Sequence, residues 1–379
     1  MLTVNQRLGN EFFLGYIERQ AALFNEKYKN NFSSLGRYYA WDVTYWIESS
    51  LLAFESTCDS RYLFVLTNVI GAICGSTDFQ LGREDVIRGR VLKAWGTDRQ
   101  YSKKVLDNNL YTNITTHAGR ICTSLLWFSR LALASEEAEL KDVAHLAKNV
   151  ALDALREFDD CYKLDENLGG VGYYQRLLSG EVEALNHITS VAEAYYLAHC
   201  MQPCDESIYK KFLSLNKFIS SSLYLDSSGK KVWNYQPYPN NAKNGSVEPV
   251  WKAQITIRYF WRIYTIGFSE VEVLLPEVAE TIYKNVFRCG NFSNVEEIFS
   301  KVSGKGLTMG DVENKTNPSS TRRYIDLLPF VLLIDAKPEI FESIWRVVEE
   351  FDSADWIISH PRGSIAYAYL LRFVDSVRP

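Results

Sequence analysis

Residues 116–159 read THAGRICTSLLWFSRLALASEEAELKDVAHLAKNVALDALREFD. The stretch divides into two halves of different character. Thr116–Ala134 is rich in small and aromatic residues and poor in charge. Glu136–Asp159 places apolar residues at i, i+3, i+4 and i+7 and carries its charges between them. Both halves have the helical period. The first suits a helix buried on most sides, and the second a helix with one face on water. Ser135-Glu136-Glu137 between them is a helix-start signal.

The same alternation recurs along the chain. Charged amphipathic helices are expected at Asn10–Tyr28, Ser60–Gly75, Glu136–Asp159, Glu206–Leu223, Glu270–Arg288 and Glu339–Phe351. Asp59-Ser60, Asp205-Glu206 and Pro338-Glu339 mark three further starts. Charge-poor helices are expected at Tyr39–Glu55, Thr116–Ala134, His187–His199, Ala253–Ile266, Arg323–Ile334 and Ser364–Val374. The first four charge-poor starts, near Asp42, His117, His187 and Lys252, recur roughly every 65–75 residues, a helical hairpin plus a long loop. Six such pairs predict an all-α fold, an (α/α)6 toroid in one domain over residues 1–379, with long loops at one end. The arrangement resembles the toroid of many carbohydrate-active enzymes. A TPR-type superhelix would need shorter and more even repeats. Strand-like alternation is rare, and Leu223–Tyr235 is the best candidate for a short ribbon.

The 379 residues are 47% hydrophobic, enough for one large core. A net charge of -5 with no long run of one sign weighs against a nucleic-acid partner. No apolar run reaches the roughly 18 residues that a membrane span needs. The opening MLTVNQRLGNEFFLGY lacks a basic start followed by an apolar run. The expectation is therefore a cytoplasmic chain as written, or a periplasmic or secreted one if a leader has been removed. Seven cysteines, odd in number and scattered, read as buried reduced thiols. Cys200 and Cys204 lie four apart without a second pair, so no zinc site is expected. Neither a metal nor a cofactor is implied. The 9 Trp, 23 Tyr and 20 Phe often stand beside polar residues, as faces for sugar rings would. A large core that uses aromatics would read the same way.

In a toroid the inner helices run roughly parallel, so the loops leading into them share one opening. The first such loop, Gly36–Asp42, offers Arg37, Tyr39 and Trp41 as a sugar platform or as an aromatic plug. The second, Asn113–Arg120, sets His117 in a first helical turn, where the helix dipole favours the neutral imidazole. The third runs from Gly169 through Tyr173, Tyr174 and Arg176 to Glu181, Glu183 and Asn186-His187. Its glycines lack the Lys-Ser/Thr of a phosphate loop and permit a tight turn instead. His187 matches His117 in repeat position. The fourth, Trp233–Pro239 and on to Trp251-Lys252, suits a lid or a subsite wall. The fifth carries His360 and Arg362, read as ordinary surface residues. His145 and His199 read as structural. Arg37, Arg120, Arg176, Lys252, Arg258 and Arg322 are the cations available to a polyanion.

Histidine, tyrosine, asparagine and arginine around an aromatic cleft suit β-elimination of a uronate polysaccharide. The sugar's carboxylate must be neutralised, a base must remove the C5 proton, and an acid must protonate the leaving oxygen. Asn186-His187 at a helix start, with Tyr235 on the following loop, resembles the Asn-His…Tyr arrangement of toroidal polysaccharide lyases of the alginate and chondroitin AC types. The resemblance implies that Asn186 neutralises the carboxylate, His187 is the base and Tyr235 the acid, with no metal required. Tyr173, Tyr174, Trp233, Trp251 and Arg258 would line the substrate path. Three alternatives stay open. A toroidal glycoside hydrolase would pair Asp42 with Glu181, Glu183 or Glu248. An epimerase similar to N-acylglucosamine 2-epimerase would use His117 and His187 together. A non-catalytic protein would only hold a glycan.

Overall fold

The structure is a computed structural model that describes residues 9–98, 110–268, 270–305, 308–309, 323–349 and 360–373. The described chain is mostly helical, with a few two-stranded antiparallel sheets. The charged amphipathic segments form α1 (Asn10–Asn30), α3 (Arg61–Cys74), α5 (Lys141–Arg156), α7 (Glu206–Ser221), α9 (Leu275–Thr281) and α10 (Ile340–Glu349). The charge-poor segments form α2 (Thr44–Thr57), α4 (Thr115–Ala134), α6 (Leu185–Met201), α8 (Val250–Ile266) and α11 (Pro361–Leu370). The expected helix over Arg323–Ile334 is instead a 3-10 segment, Arg323–Asp335, with Pro329 inside it. A proline there lacks the N–H that an α-helical ladder needs. The helix expected over Glu270–Arg288 is shortened to α9 and a π-turn at Ile282–Val286. Arg322, Ser359 and Val374 lie outside the described residues.

The packing order follows the two kinds of helix. Among the charge-poor elements, α2 packs on α4, α4 on α6, α6 on α8, α8 on the 3-10 segment, that segment on α11, and α11 back on α2. Each amphipathic helix covers one or two of these: α1 and α3 lie on α2, α5 on α4, α7 on α6, α9 on α8, and α10 on the 3-10 segment. Hydrophobic burial drives this order. Nearly every side chain of α4 and α6 is buried, whereas α5 and α7 bury one face. The buried apolar residues form one cluster running from Phe13 to Leu371. Gly119 lets α4 and α6 approach, since a Cβ there would lie 2.7 Å from Val191 Cγ2 and 2.9 Å from its backbone nitrogen.

Among the described residues, four antiparallel strand pairs decorate the helix connections: β1–β2 (Glu84–Asp85 with Arg90–Val91), β3–β4 (Gly96–Thr97 with Thr112–Asn113), β5–β6 (Tyr162–Asp165 with Val171–Tyr174) and β7–β8 (Leu223–Leu225 with Lys231–Trp233). The last is the ribbon expected from Leu223–Tyr235. The glycine run turns the third hairpin, with Gly169 and Gly170 at φ +75 and +76, a region that favours glycine. All seven cysteines are free. Cys74, Cys122 and Cys161 are buried and Cys200 is half-buried, as expected, but Cys58, Cys204 and Cys289 are exposed. Those three sit at or beyond helix ends, where the apolar pattern stops. Among the described residues no helix is long and apolar enough to cross a membrane.

Candidate functional site at the helix starts

The chain enters α2 through a π-turn, Tyr39–Val43. The turn frees backbone groups, and α4 supplies a partner. Arg120 Nε donates to Ala40 O at 2.6 Å and its Nη2 donates to Thr44 Oγ1 at 2.9 Å. The same guanidinium lies 4.4 Å from the Tyr45 ring centroid and 5.2 Å from that of Trp41. The approach to α4 is fixed by two buried aspartates. Asp78 accepts from Tyr111 Oη and Asn113 Nδ2, and Asp85 accepts from the Asn113 backbone nitrogen. These anchors place His117 edge-on to Trp41, with ring centroids 6.3 Å apart.

His117 is fully buried, and burial pushes its pKa down to about 3, with His187, Arg37 and Arg120 adding to the shift. The imidazole is therefore neutral. Burial is the largest cause of that shift, and it acts in the same direction as the helix dipole invoked from the sequence.

At the start of α6 the fold brings two loops together. Glu183 N donates to Tyr174 O, and Leu185 N donates to Tyr235 O at 2.8 Å. Tyr235 N in turn donates to Ser246 O at 2.8 Å. His187 Nδ1 lies 2.9 Å from Oε2 of Glu183, which stands on the extended segment just before α6. Arg176 Nε holds the same carboxylate oxygen at 3.4 Å. Burial pushes Glu183 up, but His187 and Arg176 outweigh it and hold the carboxyl below its usual range. The Tyr235 ring stands edge-on to His187 at 6.4 Å, and Lys252 Nζ sits 3.5 Å from the Tyr235 centroid. Burial, with Glu248 and Glu183 nearby, raises the Tyr235 phenol to about 12. Burial lowers Lys252. Asn186 is buried beside His187, and its Oδ1 has no hydrogen-bond partner among the described residues.

A second group of contacts joins α2, α8, the 3-10 segment and α11. Gln254 Nε2 donates to Tyr45 Oη at 3.1 Å. Arg362 pairs with the buried Asp326. Burial would raise the Tyr45 phenol, but Arg120 and Arg362 hold it below its ordinary value. Arg362 is thus no ordinary surface residue, contrary to the sequence reading, because Asp326 and Tyr45 draw it inward. His360 caps α11, accepting from Arg362 N. Burial lowers its pKa to about 4.

The remaining candidates divide by burial. Arg37 is exposed, and Trp41, Tyr173, Arg176, His187, Trp251 and Lys252 are half-buried. Tyr39, Tyr174, Trp233, Arg120 and Arg258 are interior. Tyr39 Oη bonds Ser76 Oγ at 2.8 Å, and Tyr174 packs on Tyr162. Arg258 belongs to a buried charge network below the helix starts. Its Nη1 meets Glu48 Oε2 at 2.5 Å and its Nε meets Glu193 Oε2 at 2.8 Å. Arg262 Nε reaches Glu193 Oε1 at 3.4 Å while its guanidinium lies 3.6 Å from the Trp127 ring. Sequence reasoning passed over Glu48, Glu193 and Arg262. The signal was there: each is a charge set among apolar and small residues on a charge-poor helix, where an ionised side chain needs a partner. His199 stacks on Tyr209 at 4.9 Å, and His145 is exposed on α5.

Among the described residues no three His, Cys, Asp or Glu side chains form a metal-binding group. Comparison with family models, curated proteins and solved structures finds no match to this chain.

Proposed function

We propose that the chain is an (α/α)6 toroid whose opening, at the inner helix starts, cleaves a uronate-containing polysaccharide by β-elimination. The toroid reading is supported by the order of packing, in which the charge-poor elements follow one another and return to α2. Contacts and charge effects that link Trp41, His117, His187, Tyr235 and Lys252, and separately Tyr45, Gln254, Asp326 and Arg362, support a shared opening.

One observation carries the chemistry: the Glu183–His187–Tyr235 constellation. Glu183 accepts at Nδ1 and so fixes the tautomer with Nε2 as the basic nitrogen. His187 Nε2 takes the C5 proton, the C–H electrons form the C4–C5 double bond, and the C4–O bond breaks. Tyr235, kept protonated by its raised pKa, gives its proton to the departing oxygen. The Asn186 amide stabilises the charge that builds on the sugar's carboxylate. Arg37, Arg176 and Lys252 attract the polyanion to a protein of net negative charge. His117, neutral and buried, packs against Trp41 and orients the platform.

The test is a panel of acidic polysaccharides followed by the ultraviolet absorbance of an unsaturated uronate. The native protein raises the absorbance, and His187→Ala and Tyr235→Phe each lower the rate by about 10²–10⁴. Full activity in both variants would falsify the assignment. A second reading, a glycoside hydrolase, draws on one observation. Glu248 and Glu183 have pKa values pushed in opposite directions, up and down, as an acid and a base require. New reducing ends without absorbance would favour it.

A further inference from the structure

Glu248 lies two residues before α8, fully buried. Its two oxygens are treated differently. Trp233 Nε1 and Thr256 Oγ1 both donate to Oε2, the second at 3.1 Å. Oε1 is buried and has no hydrogen-bond partner among the described residues. An oxygen that accepts two donors behaves as the carbonyl oxygen of a carboxylic acid, which leaves any proton on the other one. No cation pairs directly with this carboxyl among the described residues. Lys252, four positions on, places its Nζ over the Tyr235 ring instead.

We propose that Glu248 is held as a neutral carboxylic acid and that its Oε1–H is a hydrogen-bond donor for the carboxylate of a bound uronate. The proposal rests on the acidic-sugar reading for its ligand, but not for the protonation itself. Burial pushes the carboxyl up to about 8, against the lowering effects of Trp233, Thr256 and Lys252. The ionisable groups around it are Lys252 on α8 and Tyr235 on the loop after β8, with Arg176 and Glu183 beyond them. The strand-like segment at Ser300–Val302, which carries Lys301, packs through its backbone: Val302 N donates to Glu248 O. A buried O–H without an acceptor is unfavourable, so the site is poised to take one. A carboxylate is a fitting acceptor. The resulting O–H···O⁻ bond is short and strong, and it withdraws charge from the group whose C5 proton must become acidic. Asn186 then supplies one donor to the substrate and Glu248 another.

The first experiment is infrared spectroscopy of the full chain across pH. The carbonyl stretch of a neutral carboxyl should persist through neutral pH, disappear as the pH passes about 8, and be missing from Glu248→Gln. A neutral-pH spectrum without that band, or one unchanged in Glu248→Gln, overturns the proposal whether or not the protein is a lyase. The second experiment adds free glucuronate, with glucose as the uncharged control. Glucuronate alone should shift the band, and no shift removes the ligand from the proposal. In the elimination assay, native activity should fall about tenfold per pH unit above the Glu248 pKa. Glu248→Gln, which keeps a donor, should lose that alkaline fall, while Glu248→Leu should be inactive at every pH. If no polysaccharide is cleaved but glucuronate shifts the band, the lyase reading fails and the carboxylate site stands.

Discussion

Replacing Glu193 by glutamine tests whether the charge-poor helices α2, α6 and α8 converge as the packing order indicates. Glu193 on α6 is fully buried and receives Arg258 Nε at 2.8 Å and Arg262 Nε at 3.4 Å, both from α8. Arg258 continues to Glu48 on α2 at 2.5 Å. Glutamine keeps the shape and one acceptor but removes the charge. Each charge pair at about 4 Å and an effective dielectric near 20 is worth roughly 4 kcal/mol of attraction. The variant forfeits two such attractions and recovers the desolvation of one carboxylate. Breaking a buried pair on one side has a net effect of about 3–5 kcal/mol. For a chain of 379 residues that is a fall in Tm of roughly 4–6 °C. Urea denaturation followed by circular dichroism and tryptophan fluorescence reads the loss directly. A control separates the network from a local defect. Glu48→Gln and Glu193→Gln both unbalance Arg258, so the double variant should depart from additivity by about 0.5–3 kcal/mol. Should Glu193→Gln lose less than about 1 kcal/mol and the pair prove additive, α2, α6 and α8 do not meet at Arg258 and the ring reading loses its interior.

Two further outcomes follow from local geometry. Gly119→Ala should destabilise by about 1–3 kcal/mol, because its Cβ would press on the Val191 side chain and backbone nitrogen; a melting curve unchanged from the native one would mean that α4 and α6 are not this close. Asp205→Ala should lose about 1 kcal/mol, since its carboxylate accepts from Ser207 N and Ile208 N at the start of α7; equal urea midpoints would refute the cap.

Helix positions were legible because apolar spacing is a local property. Asn10, Ser60 and Glu206 open segments whose observed starts fall within about one residue of the pattern. The hairpins were less legible. Tyr162–Asp165 and Val171–Tyr174 are only four residues each, too short for alternation to stand out. The 3-10 course of Arg323–Asp335 needed Pro329 to be weighed against an apolar helical pattern. In the site, Glu183 stands four residues before His187 but on the extended approach to α6, so helical spacing alone does not predict their contact. The pairing of Arg362 with Asp326 was not legible either, because nothing in either stretch names the other.

The two histidines show where the repeat itself misleads. His117 and His187 occupy matching positions, and matching positions invite matching roles. Burial separates them. His117 is wholly enclosed and stays neutral down to a pKa of about 3, whereas the His187 side chain is 17% exposed and bonded to a carboxylate. A residue that low cannot serve as a base of useful strength near neutrality, since general bases work best with a pKa near the working pH. A two-base scheme such as an epimerase needs both imidazoles to exchange protons, and the burial of His117 weighs against it. Under the proposed elimination, the proton for the leaving oxygen comes from a group that stays protonated at neutral pH, and burial has prepared one beside His187, the Tyr235 phenol.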